Sequence, residues 1–254
     1  MSGDFVSVRI LAICPSEPDG DLLRQGSALA AIPAFFNHVA TSAAARAALA
    51  EGNVDVALLD SAMAEPDMKE VFNAVRAAHK PPPVVLVAPT SAEAAELAAA
   101  GAADAIAVKP ARLQDAKALI ESCIRLKVPS RVLVVDDSST MRSIVSKILN
   151  NGRFPLDIAE ATDGIEALKQ LGAGKFDFVF LDYNMPGLDG IEMLTEIKRQ
   201  HPRSEIVVMT SAPDGGLAAR ARGAGAAGFL KKPFYPSDVD ALLYAFYGLR
   251  PPAP

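Results

Sequence analysis

Five polar residues stand at the ends of short apolar runs in the second half of this 254-residue chain. Asp136 and Asp137 follow Val132 to Val135, Asp182 follows Phe178 to Leu181, Thr210 follows Ile206 to Met209, and Lys232 follows the brief run Phe229-Leu230. If the runs are neighbouring strands of one sheet, all five converge on one crevice. Three carboxylates gathered there repel one another, by roughly 4 kcal/mol for a pair about 4 Å apart at an effective dielectric of about 20. A lysine and a divalent cation are the natural answer. Hard oxygen ligands that leave positions open for water and phosphate suit Mg²⁺, which seldom takes an all-protein cage. Singly, each residue has an ordinary use. Asp137, Ser138 and Ser139 can cap a helix starting near Met141, Asp182 can end a strand, Thr210 can be a β-branched strand residue, and Lys232 can be solvated. Five such types at the ends of four apolar runs point instead to a Mg²⁺ site built for a phosphoryl group.

The elements that would position them follow from the periodicity. Continuous apolar runs alternate with segments of helical period, Met141 to Leu149, Ile165 to Leu171, Ile191 to Arg199 and Leu217 to Ala221. Runs apolar on both faces and separated by helices indicate a parallel sheet covered on each side. Asp163-Gly164 and Gly187 supply turn chemistry. The expected class is doubly wound α/β, whose ligands bind outside the carboxyl ends of the strands.

The first half repeats this plan. Val8-Arg9-Ile10-Leu11-Ala12-Ile13-Cys14 resembles Ser130-Arg131-Val132-Leu133-Val134-Val135-Asp136, and Asp55 to Asp60 resembles Asp177 to Asp182, both about 122 positions apart. Lys109-Pro110 matches Lys232-Pro233 with one further residue of shift. Two five-stranded domains in tandem, 1–127 and 128–254, are expected, with the boundary in Leu126 to Ser130, where Pro129 precedes a new strand.

Four segments carry a family resemblance: Val134-Val135-Asp136-Asp137-Ser138, Leu181-Asp182-Tyr183-Asn184-Met185-Pro186-Gly187-Leu188-Asp189-Gly190, Val208-Met209-Thr210-Ser211-Ala212 and Leu230-Lys231-Lys232-Pro233-Phe234. Together they resemble the receiver domain of two-component response regulators, in its single-domain chemotaxis form, a flavodoxin-like fold. The resemblance implies that Asp182 accepts a phosphoryl group from a phosphohistidine of a sensor histidine kinase or a histidine phosphotransfer protein. It implies Mg²⁺ on Asp137, Asp182 and the backbone carbonyl of Asn184, with Asp136 acting largely through water. Lys232 would pair with the phosphate, Thr210 would donate its hydroxyl to it, and Phe229 occupies the place of the switch aromatic. Phe229 lacks the hydroxyl of the tyrosine often found there, so its inward and outward states would differ by packing alone; an ordinary core phenylalanine is the plain alternative.

In the first half Cys14, Pro15 and Ser16 replace Asp136, Asp137 and Ser138. Asp60 and Lys109 match acceptor and lysine, Leu86 or Val87 falls at the position of Thr210, and Ile106 at that of Phe229. With one carboxylate left, Mg²⁺ affinity should drop, giving a degenerate receiver that serves docking or dimerisation. Glu17 and Asp19 are candidate substitute ligands, with two nearby prolines constraining the geometry. The apolar face of Leu97 to Ala107 is a candidate docking surface, with alanine-rich core packing as the alternative.

The remaining composition narrows function by exclusion. Half of the residues are apolar and the formal charge is −5, so no basic face for nucleic-acid phosphates is expected. Two separated cysteines and no histidine cluster argue against disulfides and zinc. No run is long and uncharged enough for a bilayer, and no leader is visible, so a cytoplasmic protein is expected. Past the final helix, Ser237 to Gly248, little chain remains for an effector, so the output should pass to a protein partner, with a homodimer as one form. Small Ala212, two residues after Thr210, would leave room for water near an acyl phosphate. An aspartyl-phosphate phosphotransferase of the haloacid-dehalogenase type would need an Asp where Asn184 stands, which argues against substrate turnover. The third reading is the receiver portion of a longer regulator with a C-terminal effector such as a nucleotide cyclase.

Overall fold

The computed structural model describes residues 7–90, 103–185, 190–211 and 216–252. The chain divides into two compact units, Met1–Val128 together with Leu243–Pro254, and Pro129–Leu242. Reading the boundary from sequence alone assigns the last residues to the second half. In the structure they group with the first unit, because Arg250 pairs with Ile106 through reciprocal N–H to carbonyl bonds of 2.9 Å.

In the first unit β1 (Val8–Ile13), α1 (Glu17–Ala28), β2 (Ala34–Val39), α2 (Ser42–Ala50), β3 (Val56–Asp60), α3 (Glu65–Ala77), β4 (Val84–Ala88), β5 (Ala105–Val108) and α4 (Leu113–Arg125) follow in order. All strand pairs are parallel, in the order β2-β1-β3-β4-β5. The second unit runs β6 (Ser130–Val135), α5 (Ser139–Asn150), β7 (Leu156–Ala161), α6 (Gly164–Ala173), β8 (Phe178–Asp182), α7 (Gly190–Gln200), β9 (Glu205–Thr210), α8 (Leu217–Gly223) and β10 (Gly228–Lys231), and then enters α9 (Pro236–Phe246), whose residues from Leu243 on belong to the first. Its parallel order, β7-β6-β8-β9-β10, is the same. Both sheets are five-stranded and doubly wound, as expected.

The repeat extends to single hydrogen bonds. The Asp55 carboxylate accepts from the Arg9 amide at 2.9 Å, and Asp177 from the Arg131 amide at 2.8 Å. Strand Val132 to Val135 and strand Val179 to Leu181 are entirely buried, as helices on both faces of a parallel sheet require. Helix α5 turns Val145 and Leu149, four residues apart, into the core. Strand β7 has no counterpart among the apolar runs of the sequence. It lies at the sheet edge, where half-buried positions interrupted by exposed Asp157 and Glu160 replace a continuous apolar run. Asp163, read as a turn residue, caps α6 by accepting from the Glu166 amide at 2.8 Å. Among the described residues no helix is long and apolar enough to cross a membrane.

Candidate functional site

In the second unit the carboxyl ends of the adjacent strands β6 and β8 bring the acids together. Asp136 is buried just past β6, Asp182 is the buried last residue of β8, and Asp137 is exposed beside them. One carboxylate oxygen from each lies within 4.8 Å of the others. Lys232, reaching in from the end of β10, holds the two buried acids. Its Nζ is 2.7 Å from Asp136 Oδ2 and 3.1 Å from Asp182 Oδ1. The first contact is a hydrogen bond; the second is an ion pair outside hydrogen-bond geometry, so Asp182 Oδ1 is buried without a hydrogen-bond donor. Buried carboxylate oxygens nearly always have such a donor; this one has only the Lys232 charge beside it. The donor set, three carboxylates with one open oxygen, fits Mg²⁺.

Ser138, not Asp137, caps α5, accepting from the Met141 amide at 3.3 Å, and the helix starts at Ser139. Asp137 is therefore left out of the cap. Asp136 Oδ1 accepts from the Ser138 amide at 2.9 Å, which turns the loop back on itself. Thr210, fully buried, ends β9, and Asn184 Nδ2 lies 3.4 Å from its hydroxyl. The Lys232 amide donates to the Thr210 carbonyl at 2.7 Å, so lysine and threonine are fixed to each other through the main chain. Phe229, paired with Val208, is half-buried against the core of the unit. Gly187 and Ala212 lie outside the described residues.

The first unit assembles its own cluster from different parts. Asp60, the buried end of β3, accepts from the Cys14 thiol at 3.0 Å and from the Ala62 amide at 2.9 Å. Lys109 Nζ sits 2.8 Å from Asp60 and 2.6 Å from Asp19, bridging the two carboxylates. Burial opposes the charge of Lys109, but its hydrogen bonds to Asp19 and Asp60 outweigh that and raise its pKa. The hydrogen bond from Lys109 in turn holds the Asp19 carboxyl below its usual range. Burial, and then the hydrogen bond to Asp60, push the Cys14 thiol up to about 12, so it is a neutral donor and no ready metal ligand. Asp19 thus reaches the cluster, while Glu17 stays largely exposed, 3.7 Å from His38. Ser16 caps α1, accepting from the Asp19 amide at 3.4 Å.

The register corrects one assignment. Asp60 pairs with Val87 as Asp182 pairs with Met209, so the position of Thr210 belongs to Ala88, not to Leu86 or Val87. Counting back from Lys109 carried a one-residue shift that arises after β4. Ile106 pairs with Leu86 as Phe229 pairs with Val208, and so does occupy the aromatic's position. The first site therefore has no hydroxyl at this strand end. The segment Leu97 to Ala102 lies outside the described residues.

Two groups escaped the sequence reading. Arg142, one turn into α5, donates through Nη1 to the Asp136 carbonyl at 2.9 Å and through Nε to Glu160 at 3.0 Å. In the first unit His38 Nε2 lies 2.9 Å from the Cys14 carbonyl. Both sit 122 positions apart from their spatial equivalents, a signal present in the repeat but meaningless until the side chains are placed.

Comparison with known proteins agrees with this geometry. A family model for the response regulator receiver domain matches residues 132–244. Chemotaxis protein CheY of Listeria monocytogenes is 35% identical over 109 residues, covering 43% of this chain and 91% of that protein. Chemotaxis protein CheY-3 of Vibrio cholerae is 40% identical over 106 residues, covering 41% of this chain and 81% of that protein. A solved structure described as a probable two-component system response regulator/GGDEF domain protein aligns with 94% of this chain and 99% of its own, at 26% identity and a TM-score of 0.52. The sequence motifs, the two parallel sheets and these relatives together make the chain a member of the two-component response regulator family, carrying its receiver domain at residues 132–244.

Proposed function

We propose that the second unit accepts a phosphoryl group on Asp182 from a histidine kinase or histidine phosphotransfer protein, and signals by a change in its protein-binding surface. The observation that carries this reading is the Asp182 oxygen that is buried without a hydrogen-bond donor beside Lys232. Asp136, Asp137, Asp182 and the Asn184 carbonyl would hold Mg²⁺, whose bound charge would neutralise oxygens of the transferring group. The Asp182 carboxylate attacks phosphorus as the bond to the donor imidazole nitrogen breaks. Lys232 stays within reach of the oxygens that carry the charge, and Thr210 offers its hydroxyl to the product. Drawing that hydroxyl inward frees space beside β10, into which Phe229 can turn; a local charge event thereby biases a two-state element.

The first unit, in this reading, is a degenerate receiver. Asp19 and Asp60 reach its cluster, but a neutral Cys14 thiol stands where Asp136 does, Pro15 where Asp137 does, and Ala88 where Thr210 does. Its role is docking or dimerisation. Intact mass after incubation of the full chain with Mg²⁺ and acetyl phosphate tests both statements. One phosphoryl adduct, lost in Asp182→Asn and kept in Asp60→Asn, is expected; absence of any adduct overturns the reading.

A second reading, the receiver portion of a longer regulator, is favoured by the described GGDEF association of the structure that aligns along 94% of this chain. The sequence of the gene beyond the codon for Pro254 distinguishes the two.

A further inference from the structure

The loop that carries Asp136 and Asp137 has to hold its acids toward the crevice while mutual repulsion drives them apart. Only part of that restraint is local. The Ser138 amide bonds to Asp136 Oδ1, and the Asp136 amide reaches the Ala161 carbonyl at a long 3.3 Å. Lys232 holds the Asp136 side chain from β10, and Arg142 holds the main chain. Its guanidinium is 13% exposed and donates to the Asp136 carbonyl, while Glu160 on β7 accepts from Arg142 Nε. Glu160 is itself fixed: Ser146 Oγ donates to its other oxygen at 2.9 Å, and Gln170 Nε2 donates to its main-chain carbonyl at 2.7 Å. A chain of bonds thus runs from α6 and β7 through one arginine to the carbonyl between the two acids.

The first unit shows the same carbonyl secured by other means. Position 20 corresponds to 142 and position 38 to 160; β1 pairs Ala12 with His38 as β6 pairs Val134 with Glu160. The arginine is replaced by Gly20 and the glutamate by His38. The His38 ring fills the vacated volume, so closely that a β-carbon on Gly20 would come within 2.4 Å of it. His38 Nε2 reaches the Cys14 carbonyl, the equivalent of Asp136. Since a carbonyl only accepts, Nε2 must carry the proton. Two unrelated side-chain pairs meeting one main-chain atom indicate that this atom needs an anchor from outside its loop.

We propose that Arg142, buttressed by Glu160, is a positioning residue for the metal-binding loop of the second unit, acting through the Asp136 carbonyl; the proposal rests on the Mg²⁺ reading of that site. The sign of the effect is diagnostic. Arg142 brings a positive charge near a cation site, so neutralising it would tighten Mg²⁺ binding if charge were its only influence. Loss of an outer partner that orients ligands instead weakens metal affinity, typically about 10- to 100-fold.

The test is an NMR titration of the full chain with Mg²⁺, read at the amides of Asp137 and Tyr183, together with metal-free hydrogen exchange at the Ser138 amide. Arg142→Met should weaken Mg²⁺ binding about tenfold and accelerate Ser138 exchange. Arg142→Gly should do the same, and Arg142→Gly with Glu160→His, which rebuilds the first unit's anchor, should recover most of both losses. Unchanged or tighter binding in Arg142→Met, or unchanged Ser138 exchange, overturns the positioning role. Asp137→Asn serves as the reference for the site. Wild-type protein that ignores Mg²⁺ and matches Asp137→Asn would overturn the metal reading, and Ser138 exchange would still decide whether Arg142 holds the loop.

Discussion

Replacing Lys232 with methionine keeps most of the side chain's volume and removes the charge on which two buried acids lean. Asp136 is 1% exposed and Asp182 6%, so neither carboxylate can turn to bulk water. At distances of 2.7 and 3.1 Å, the gross attractions are about 6 and about 5 kcal/mol at an effective dielectric of about 20. Most of that is offset by the dehydration of three charges in the wild type and by partial rehydration in the variant. The net loss expected for breaking a buried pair is about 3–5 kcal/mol. On the proposed Mg²⁺ reading the ion would supply the missing charge: at ten times its dissociation constant it would stabilise the folded state by about 1.4 kcal/mol, and by more where it no longer competes with a lysine. The assay is hydrogen exchange of the full chain, read at amides of β6 and β8 whose exchange requires unfolding of the unit. It is run in chelator and again in Mg²⁺. Lys232→Met should lose several kcal/mol in chelator and recover a larger share in Mg²⁺ than wild type gains. A variant within about 1 kcal/mol of wild type in chelator, the range of an exposed ion pair, would refute the claim that Lys232 neutralises the site.

The first unit's cluster has a pH signature. Because Lys109 lowers the Asp19 pKa, Asp19 contributes stability that is present above its unfolded value of about 3.9 and lost as pH falls through its folded value. Asp19→Asn should flatten the acid limb of exchange protection in β1 and β3, and an unaltered limb would exclude the pair. Cys14 behaves in the opposite sense: its folded value near 12 means that stability is full below about 8.5 and declines as pH rises toward the folded value. At pH 8 a thiol reagent should leave buried Cys14 and Cys123 unmodified until denaturant is added. Phe180→Ala, at a fully buried strand position, should cost the second unit about 3–5 kcal/mol. Ile165→Ala, 77% exposed, should change it by less than about 0.5 kcal/mol; equal effects in chemical denaturation would contradict the assigned core.

The acids, the threonine and the lysine were legible because each follows a continuous apolar run, and such runs mark strands buried on both faces. β7 was not, because exposed Asp157 and Glu160 break the apolar run of this edge strand. Ala88 differs from the expected Leu86 or Val87 because the one-residue shift between the halves falls after β4, so it does not apply at this strand end. Arg142, Glu160 and His38 were overlooked as partners for a different reason. Their significance lies in contacts between helix and strand, and helical or strand periodicity does not encode which side chain reaches which carbonyl.

The Arg250 pairing with Ile106 also sets an order of events during synthesis. The amide and carbonyl of Ile106 bond to a residue made long after it. At about 5–20 residues per second, the ribosome needs on the order of ten seconds to pass from one to the other. Throughout that interval the β5 margin of the first sheet is open to whatever strand it meets. A nascent chain stalled or cleaved before Arg250 would keep that margin open, so closure of the first sheet waits on residues made after the whole of the second unit.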